Sequence, residues 1–166
     1  MPAPVLQNPA KNHVRIGVIS DTHGHFDQRV IDAFAGADLI VHAGDIDRPK
    51  IIERLATIAP VRAVRGNMDR GPWAEDLPLT ALVVVEKVTL YVLHDLAQLD
   101  LEPAAAGIQV VISGHTHRAA LTEKNRVVFL NPGSASTPRQ DRPPTVAILT
   151  ARGETIDVRF VELPAP

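Results

Sequence analysis

Seven side chains that can bind a metal ion follow five apolar runs of this sequence. Each run ends in a short polar segment, and every such segment contains Asp, Asn or His. The seven are Asp21, His23, Asp45, Asn67, His94, His115 and His117. Imidazole nitrogen, carboxylate oxygen and amide oxygen, with no thiolate among them, suit divalent ions such as Mn, Fe, Ni, Co or Zn. The pattern therefore predicts a metal site.

The number of candidate ligands favours two ions over one. Seven groups are too many for a single tetrahedral ion, but they suit two ions about 3.5–4 Å apart. A central carboxylate can bridge such a pair. Two divalent ions bring four positive charges, of which two carboxylates and one bridging hydroxide cancel three. The remaining positive field favours an anion such as phosphate.

Each of these residues also has an ordinary interpretation. An Asp after a strand is commonly a helix cap or a turn residue, and a single His is commonly a core or surface residue. The combination at five strand ends is what favours a shared site. Gly44, Gly66 and Gly114 each stand directly before a candidate ligand. Because glycine permits sharp turns and close backbone approach, these positions also favour one convergent site.

Alternating strands and helices are predicted to carry the first polar segments. Apolar runs predict strands, and apolar residues at helical spacing predict helices. The strands are 14–20, 38–44 and 60–66, with helices over 26–37 and from Pro49 onward through Ile58. This order predicts a right-handed parallel sheet, and ligands bind outside the carboxyl ends of such strands.

The second half of the chain has the signature of paired strands. Tight polar turns separate short apolar runs, which predicts hairpins and a mixed or antiparallel sheet. The predicted elements are strands 79–86 and 87–94, a short helix over 96–106, a strand over 108–113, and hairpins of 119–122 with 127–130 and of 145–150 with 155–163.

Length and composition predict one domain. The chain has 166 residues, of which 1–13 are predicted to be a flexible tail and 14–166 a single domain. It contains 0 Cys, so disulfides and thiolate ligands are excluded. A formal net charge of -2 argues against an extended nucleic-acid footprint. Because no run has the length of a membrane span or the form of a secretory signal, we expect a cytoplasmic protein without membrane contact.

Five motifs in fixed order carry a family resemblance. D-x-H at Asp21, G-D-x-x at Asp45, G-N-x-[DE] at Asn67, a lone His94 and G-H-x-H at His115 resemble the calcineurin-like metallophosphoesterase superfamily. The spacing and the later segment NPGSASTPR are similar to its small, stand-alone phosphodiesterase branch of bacteria and archaea. The resemblance covers roughly residues 16–160. It implies an α/β fold in which a two-sheet mixed β-sandwich is flanked by helices.

The resemblance also implies a division of the ligands and a reaction. Asp21, His23 and His117 would bind the first metal ion; Asn67, His94 and His115 would bind the second. Asp45 would bridge the two ions. In the family a metal-bound hydroxide attacks phosphorus in line, without a covalent phosphoenzyme. The implied function is a dinuclear metal-dependent phosphodiesterase that acts on a small phosphate ester.

The chain departs from the family pattern at two positions. Many members have His after the motif asparagine, where it protonates the leaving group, but this chain has Met68. Relatives usually have Gly after the lone histidine, but here Asp95 follows His94. Asp95 is interpreted as a turn residue or as a carboxylate that orients a neighbouring histidine.

Several other residues are weaker candidates for the site. Asn67 is also a candidate for substrate binding. Asp69 is a turn residue or a carboxylate behind the ligands, and His25 is a proton donor for the leaving group or an exposed histidine. Ser134, in the loop from Asn131, would contact phosphate or only shape the turn. Arg139 would contact phosphate or is an ordinary surface arginine.

A protein-interaction scaffold is the alternative function. The retromer scaffold subunit of eukaryotes has the same fold and uses it chiefly as an interaction surface. All seven ligand positions are filled in this chain, which favours an enzyme, whereas Met68 keeps the scaffold interpretation open. The sequence leaves the native metal open, and a homo-oligomer is equally compatible with it.

Met68 leads to a prediction about substrate preference. Because methionine cannot transfer a proton, we expect kcat/KM to rise steeply as the pKa of the leaving group falls. Aryl phosphodiesters should therefore be hydrolysed faster than alkyl monoesters. The measurement is kcat/KM over a series of aryl phosphodiesters, and a flat dependence on leaving-group pKa would contradict the prediction.

Overall fold

A computed structural model describes residues 5–138 and 141–163 of the chain. The elements, in chain order, are β1 (Val5–Leu6), β2 (Val14–Ile19), α1 (Arg29–Ala33), β3 (Leu39–His42), α2 (Pro49–Ala56), β4 (Val61–Ala63), α3 (Pro72–Glu75), β5 (Thr80–Val85), β6 (Val88–Leu93), a 3-10 turn (Leu96–Gln98), β7 (Val110–Ile112), β8 (Ala119–Lys124), β9 (Val127–Pro132), β10 (Thr145–Arg152) and β11 (Thr155–Glu162).

The strands form two mixed sheets. One sheet has six strands in the order β1-β5-β6-β7-β9-β8, and the other has five in the order β11-β10-β2-β3-β4. Strands β2, β3 and β4 are parallel, as are β6, β7 and β9, whereas hairpins pair β5 with β6, β8 with β9 and β10 with β11. The predicted two-sheet α/β sandwich with a parallel first half is therefore confirmed.

Aliphatic side chains from both sheets fill the space between them. Ile16 and Val18 of β2 contribute from the five-stranded sheet, and Leu90 of β6 and Ile112 of β7 from the six-stranded sheet. The alternation of inward and outward side chains along β2 follows from the pleat of a strand. All four side chains are fully buried, so this layer fixes how the two sheets face each other.

A second apolar layer joins the helices to the outer face of the five-stranded sheet. Phe34, which follows α1, and Ile51 and Leu55 of α2 pack against Ile40 of β3. Gly17 of β2 lies beneath Phe34, whose ring atoms are 2.8 Å from the place where a Cβ atom at Gly17 would stand. The sheet can therefore accept this helix only because position 17 has no side chain.

Four local features differ from the sequence prediction. The first helix is shorter than 26–37, because Asp27 binds the backbone and guanidinium of Arg29 before its start and Gly36, with φ +74°, follows its end. The helix predicted over 96–106 is only the 3-10 turn, since Leu99 directly after it has an extended backbone. Helix α3 was not predicted.

The fourth difference concerns the predicted flexible tail. Val5 and Leu6 form β1, which pairs in parallel with Val84 and Val85 of β5. Leu6 also packs against the apolar layer between the sheets. The tail predicted over 1–13 therefore contains this short paired strand.

The carboxyl ends of strands from both sheets meet at one edge of the sandwich. The amide of Ala135, after β9, donates to the carbonyl of Ser20, which follows β2, at 3.1 Å. The amide of Gly114, after β7, donates to the carbonyl of His94, which follows β6, at 2.9 Å. The polar segments predicted to carry ligands are thereby brought to one place. Among the helices of residues 5–138 and 141–163, none has the length and apolar character to span a membrane.

Gly17→Ala should destabilise the protein through its contact with Phe34. Overpacking of this kind costs about 1–3 kcal/mol, so the midpoint of urea unfolding should fall. Phe34→Leu removes the ring and should relieve the added methyl group. In a double-mutant cycle, Gly17→Ala with Phe34→Leu should therefore cost less than the sum of the two single changes, and simple additivity would contradict the packing described.

Candidate metal centre

The loops that carry the candidate ligands have an unusual backbone conformation. Asp21, His23, Asp45, His115 and His117 have φ values of +53°, +46°, +56°, +70° and +58°. For residues with a side chain this left-handed region costs roughly 1–2 kcal/mol each. Conformations of that cost persist where the surroundings enforce them, and they cluster at functional sites. The concentration of five at one edge points to such a site.

Glycines before the ligands allow these loops to touch. A Cβ atom on Gly66 would collide with the backbone nitrogen and the carboxylate of Asp45, and one on Gly114 would collide with the hydroxyl of Ser20. At Gly44, with φ +95°, a Cβ would lie 2.8 Å from Nδ1 of His94. The close approach predicted from glycine at these positions is present in the structure.

The first group of ligand atoms joins the loop after β2 to the loop after β7. Nε2 of His23 lies 3.2 Å from Nε2 of His117, and Nε2 of His117 lies 3.3 Å from Oδ1 of Asp21. Nε2 of His23 is 3.9 Å from the same oxygen. The three side chains thus present one atom each to a common point.

Hydrogen bonds on the far side of each ring define its orientation. Nδ1 of His23 is 3.2 Å from Oδ2 of Asp47, and Nδ1 of His117 is 2.7 Å from the carbonyl of Thr137. Both partners are acceptors, so each Nδ1 carries the hydrogen in the neutral ring and each Nε2 presents a lone pair. Two lone pairs that face each other at 3.2 Å are suited to a shared cation.

Asp21 provides a further test of whether these residues fit a metal ion. Its side chain is fully buried, and Oδ2 accepts from the hydroxyl of Ser20 at 2.7 Å and from the amide of His115 at 3.1 Å. Among the residues that the structure describes, none donates a hydrogen bond to Oδ1, which faces both histidines. A buried acceptor without a donor is costly, and a cation at this point would remove that cost. The site therefore fits the metal that its residue types predict.

The second group of ligand atoms joins the loops after β3, β4, β6 and β7. Nε2 of His94 is 3.0 Å from Oδ1 of Asn67 and 3.3 Å from Oδ2 of Asp45. Nδ1 of His115 is 3.1 Å from the same Asn67 oxygen. Nδ1 of His94 donates to the carbonyl of Ala43 at 2.8 Å, so its Nε2 also presents a lone pair.

Asp45 connects the two groups through one atom. Its Oδ2 lies 3.3 Å from Nε2 of His94 and 3.9 Å from Nε2 of His23. Its Oδ1 is held by the amide of Met68 at 2.8 Å. The groups of Asp and His atoms that could hold a metal are Asp21 with His23 and His117, and Asp21 with Asp45 and His94. The seven predicted ligands are therefore brought together.

The pKa values of the acidic groups reflect the same crowding. Burial raises the pKa of Asp21 above its usual value, although its hydrogen bond with Ser20 and the nearby His94 and His117 act in the opposite direction. Burial also disfavours the charged forms of Asp45 and His94. Their mutual attraction outweighs it, so the pKa of Asp45 is lowered and that of His94 is raised. Positive charge is thus stabilised beside Asp45.

Asp69 holds the backbone rather than a ligand side chain. Its two carboxylate oxygens accept hydrogen bonds from the amides of Asp45, Ile46, Asp47 and Gly66 at 2.7–3.0 Å. Four donors on one buried carboxylate fix the loop after β3 against the loop after β4. Most of this contribution could not be read from the sequence, because three of the four amides belong to residues 45–47, on a different loop.

His42 is a buried histidine that the sequence analysis missed. Its Nδ1 accepts from the amide of Gly44 at 3.1 Å, so in the neutral ring the hydrogen is on Nε2, which donates to the hydroxyl of Thr22 at 3.0 Å. The Thr22 hydroxyl lies 3.4 Å from the carbonyl of Ile46 and can donate to it. The chain of bonds ties the loop of Asp21 to the loop of Asp45.

Three weaker candidates have another role, are exposed or lie outside the described residues. Ser134 is fully buried, and its hydroxyl donates to the carbonyl of Asp21 at 2.8 Å and accepts from the amide of Thr137 at 2.8 Å. These contacts favour the turn-shaping interpretation of Ser134 over its contact with phosphate. His25 is exposed and Met68 is 46% exposed. Arg139 lies outside the described residues.

Asn131, which begins the loop of Ser134, shapes the turn of the two late histidines. Its amide group donates to the carbonyl of Gly114 at 2.8 Å and to the hydroxyl of Thr116 at 3.1 Å. Its Oδ1 accepts from the amide of Gly133 at 2.9 Å. The side chain is thus used within the protein, which favours the turn-shaping interpretation of this loop.

Comparison with known proteins identifies the family. The calcineurin-like phosphoesterase superfamily domain matches residues 14–154. A probable metallophosphoesterase of Methanothermobacter thermautotrophicus is 39% identical over 163 residues, which cover 91% of this chain and 94% of that protein. Phosphodiesterase YfcE of Escherichia coli is 32% identical over 154 residues, which cover 78% of this chain and 84% of that protein.

Solved structures show the same fold. The structure of YfcE from E. coli covers 90% of this chain and 100% of its own, with 26% identity and a TM-score of 0.68. Vps29 of Chaetomium thermophilum covers 92% of this chain and 100% of its own, with 20% identity and a TM-score of 0.73. At that identity the likeness to Vps29 concerns the fold alone.

The chain belongs to the calcineurin-like phosphoesterase superfamily, as its motifs predicted. Membership places it among metal-dependent phosphoesterases, the enzyme class expected from the sequence. The acidic and histidine side chains gathered at the edge of the sandwich are its candidate metal ligands.

His42 should make the stability of the metal-free protein depend on pH. Burial, together with the nearby His94, lowers the pKa of His42 to about 3. The unfolded chain takes up this proton near pH 6.5 and the folded protein only near pH 3, so stability falls as the pH falls through that window. The contribution is at most about 1.4 kcal/mol per pH unit.

The measurement is urea unfolding of wild type and His42→Gln between about pH 7.5 and about pH 5. Gln retains a donor and an acceptor but cannot titrate. The free energy of unfolding of His42→Gln should therefore fall less steeply with decreasing pH. Equal slopes for the two proteins would show that His42 does not remain neutral in the folded state.

Proposed function

We propose that this protein hydrolyses small phosphodiesters at a centre of two divalent metal ions. The position of Asp45 carries the proposal, because its Oδ2 lies within 3.9 Å of nitrogen atoms from both ligand groups. One carboxylate oxygen shared in this way is what two neighbouring ions require. Asp21, His23 and His117 would hold the first ion, and Asn67, His94 and His115 the second.

The ions would supply Lewis-acid stabilisation and a hydroxide for in-line attack on phosphorus. The protein's own residues hold the ligand loops in place and orient the ligand side chains. Asp69 fixes the backbone of Asp45, and acceptors behind His23, His94 and His117 direct their Nε2 atoms inward. The nitrogen and oxygen ligand atoms suit Mn, Fe, Ni, Co and Zn alike.

The space around the centre fits a diester better than a monoester. A cleft of about 300 Å³ adjoins His117 and is bordered by Ala119, Arg142 and Thr145. A second cleft of about 300 Å³ adjoins the other ligand group and is bordered by Asn67, His94 and His115. A phosphorus atom between them would have room for a substituent on each side. Charged side chains of both signs line each cleft, Arg142 with Glu162 in one and Arg65 with Asp95 in the other, which suits substituents that carry hydrogen-bonding groups.

Met68 limits which leaving groups depart easily. Its amide binds Asp45, and its exposed thioether cannot donate a proton at the position where many relatives have histidine. His25 is exposed and makes no side-chain hydrogen bond to the candidate ligands within the described residues. Without a proton donor at position 68, leaving groups of low pKa are favoured, because they depart with little protonation.

The alternative is a non-catalytic scaffold that uses the same fold to bind other proteins, as in the retromer subunit. The likeness to Vps29 at 20% identity supports it only at the level of the fold. The complete set of ligand positions and the donorless Oδ1 of Asp21 favour catalysis.

Metal analysis together with turnover of bis-p-nitrophenyl phosphate tests the proposal. The protein is stripped of metal, reloaded separately with Mn, Ni, Co and Zn, and assayed after each loading. We expect about two ions per chain and turnover that requires them. Two bound ions without turnover for any of the four metals would favour the scaffold, and binding of a single ion would contradict the two-ion centre.

Asp45→Asn should lower kcat more than removal of one terminal ligand. Asn keeps the shape and can keep the contact with the Met68 amide through Oδ1, but its charge is lost and its amide nitrogen then replaces the shared Oδ2. We expect a decrease of about 100-fold or more, because even partners behind the ligands cost 10–100-fold. His117→Ala is the comparison, with circular dichroism of both variants as the folding control. Near-normal turnover of Asp45→Asn would contradict the bridging role.

A further inference from the structure

Three of the four candidate histidine ligands have a strong acceptor behind them. The acceptors are the Asp47 carboxylate for His23, the Ala43 carbonyl for His94 and the Thr137 carbonyl for His117, at 3.2, 2.8 and 2.7 Å. Such partners fix the ring, select the nitrogen that carries hydrogen and raise the basicity of the nitrogen that binds the metal.

His115 has the opposite orientation. Its Nδ1 faces the site, 3.1 Å from Oδ1 of Asn67, and its Nε2 points outward. A carboxylate oxygen, Oδ2 of Asp95, faces this Nε2 at a distance of 3.9 Å. The His115 side chain is 44% exposed, compared with 16% for His117, so its ring has the least packing to hold it in place. A partner on Nε2 therefore matters more for His115 than for its neighbour.

Asp95 is itself held so that one oxygen remains free for this contact. Its Oδ1 accepts from the amide of Ala97 at 3.0 Å, which caps the 3-10 turn. Its Oδ2 points toward His115. Because Asp95 directly follows His94, the carboxylate has a fixed position relative to the second ligand group, and both it and His115 border the same cleft of about 300 Å³.

We propose that Asp95 is a positioning residue for His115 and raises the affinity of the second metal ion. When Nδ1 of His115 binds an ion, its Nε2 carries a hydrogen, which Asp95 accepts as the two side chains close the present gap of 3.9 Å. Asp95 then accepts a hydrogen bond from His115 in the second group, as Asp47 does from His23 in the first. The inference rests on the proposed two-ion centre and concerns one of its two sites.

The symmetry between Asp95 and Asp47 provides a matched experiment. Asp95→Asn can keep Oδ1 for the cap on Ala97 while an amide nitrogen replaces Oδ2, so the acceptor is removed and the turn retained. Asp47→Asn makes the corresponding change behind His23. Metal-free wild type and both variants are titrated with Co²⁺ by calorimetry and by visible absorption, which measure binding independently of activity.

We expect Asp95→Asn to weaken one of the two Co²⁺ dissociation constants about 10-fold or more and to leave the other within about two-fold. Asp47→Asn should weaken the other one. In a His115→Ala background, Asp95→Asn should cause no further loss of affinity, whereas in a His23→Ala background it should still weaken the remaining ion.

Three results would overturn the inference while leaving the two-ion centre intact. The first is two Co²⁺ constants in Asp95→Asn that match those of wild type. The second is an equal loss at both sites, and the third is an undiminished loss in the His115→Ala background; either of these would show that Asp95 does not act through His115. If wild type itself binds fewer than two ions, the proposed function fails, and this inference with it.

Discussion

The candidate metal centre is a convergence of acceptor atoms, and this constraint governs the structure around it. Oδ1 of Asp21, Oδ2 of Asp45, Oδ1 of Asn67 and the inward nitrogens of the histidines approach one another at 3.0–3.9 Å. Such atoms repel one another unless a cation or a proton lies among them. The surrounding protein must therefore prevent the loops from relaxing apart.

Bonds to the backbone supply most of this restraint. Asp69 gathers four amides, His42 joins the loops of Asp21 and Asp45, and Asn131 holds the turn that carries His115 and His117. Glycines permit the contacts, and the left-handed conformations of the ligands are their consequence. Local strain at the ligands is thus compensated by buried hydrogen bonds one layer farther from the site.

The strands could be predicted because they are apolar runs in the sequence, and the candidate ligands because they are polar residues at the ends of those runs. Each buried strand is an apolar run, and each ligand stands at the end of one. The ends of α1 were not predictable from apolar spacing, since Asp27 and Gly36 set them through local bonds and backbone conformation. The strand of Val5 and Leu6 has too short a pattern to identify, and its pairing with β5 is a long-range contact.

The roles of the polar residues also differ in how far the sequence predicts them. Side chains that face the site were recognisable by type and position. Three others act through contacts with other loops: His42 with the Thr22 hydroxyl, Asp69 with the amides of residues 45–47 and Ser134 with the Asp21 carbonyl. Ser134 shows the limit clearly: its loop was associated with phosphate, but its hydroxyl is buried beneath Asp21. A motif predicts that a residue lies near a site. Its contacts show whether the residue faces a bound ligand or supports the surrounding backbone.

The ligands come from both sheets, so the site and the sandwich depend on each other. Asp21 and Asp45 follow strands of the five-stranded sheet, and His94, His115 and His117 follow strands of the six-stranded sheet. An ion bound among them is held only while the two sheets are packed, and an ion that binds only the folded chain adds RT ln(1 + [L]/Kd) to its stability. The repulsion between converging acceptors destabilises the free protein and is relieved by the ion. The same contacts that weaken the fold locally are therefore the ones through which metal binding strengthens it.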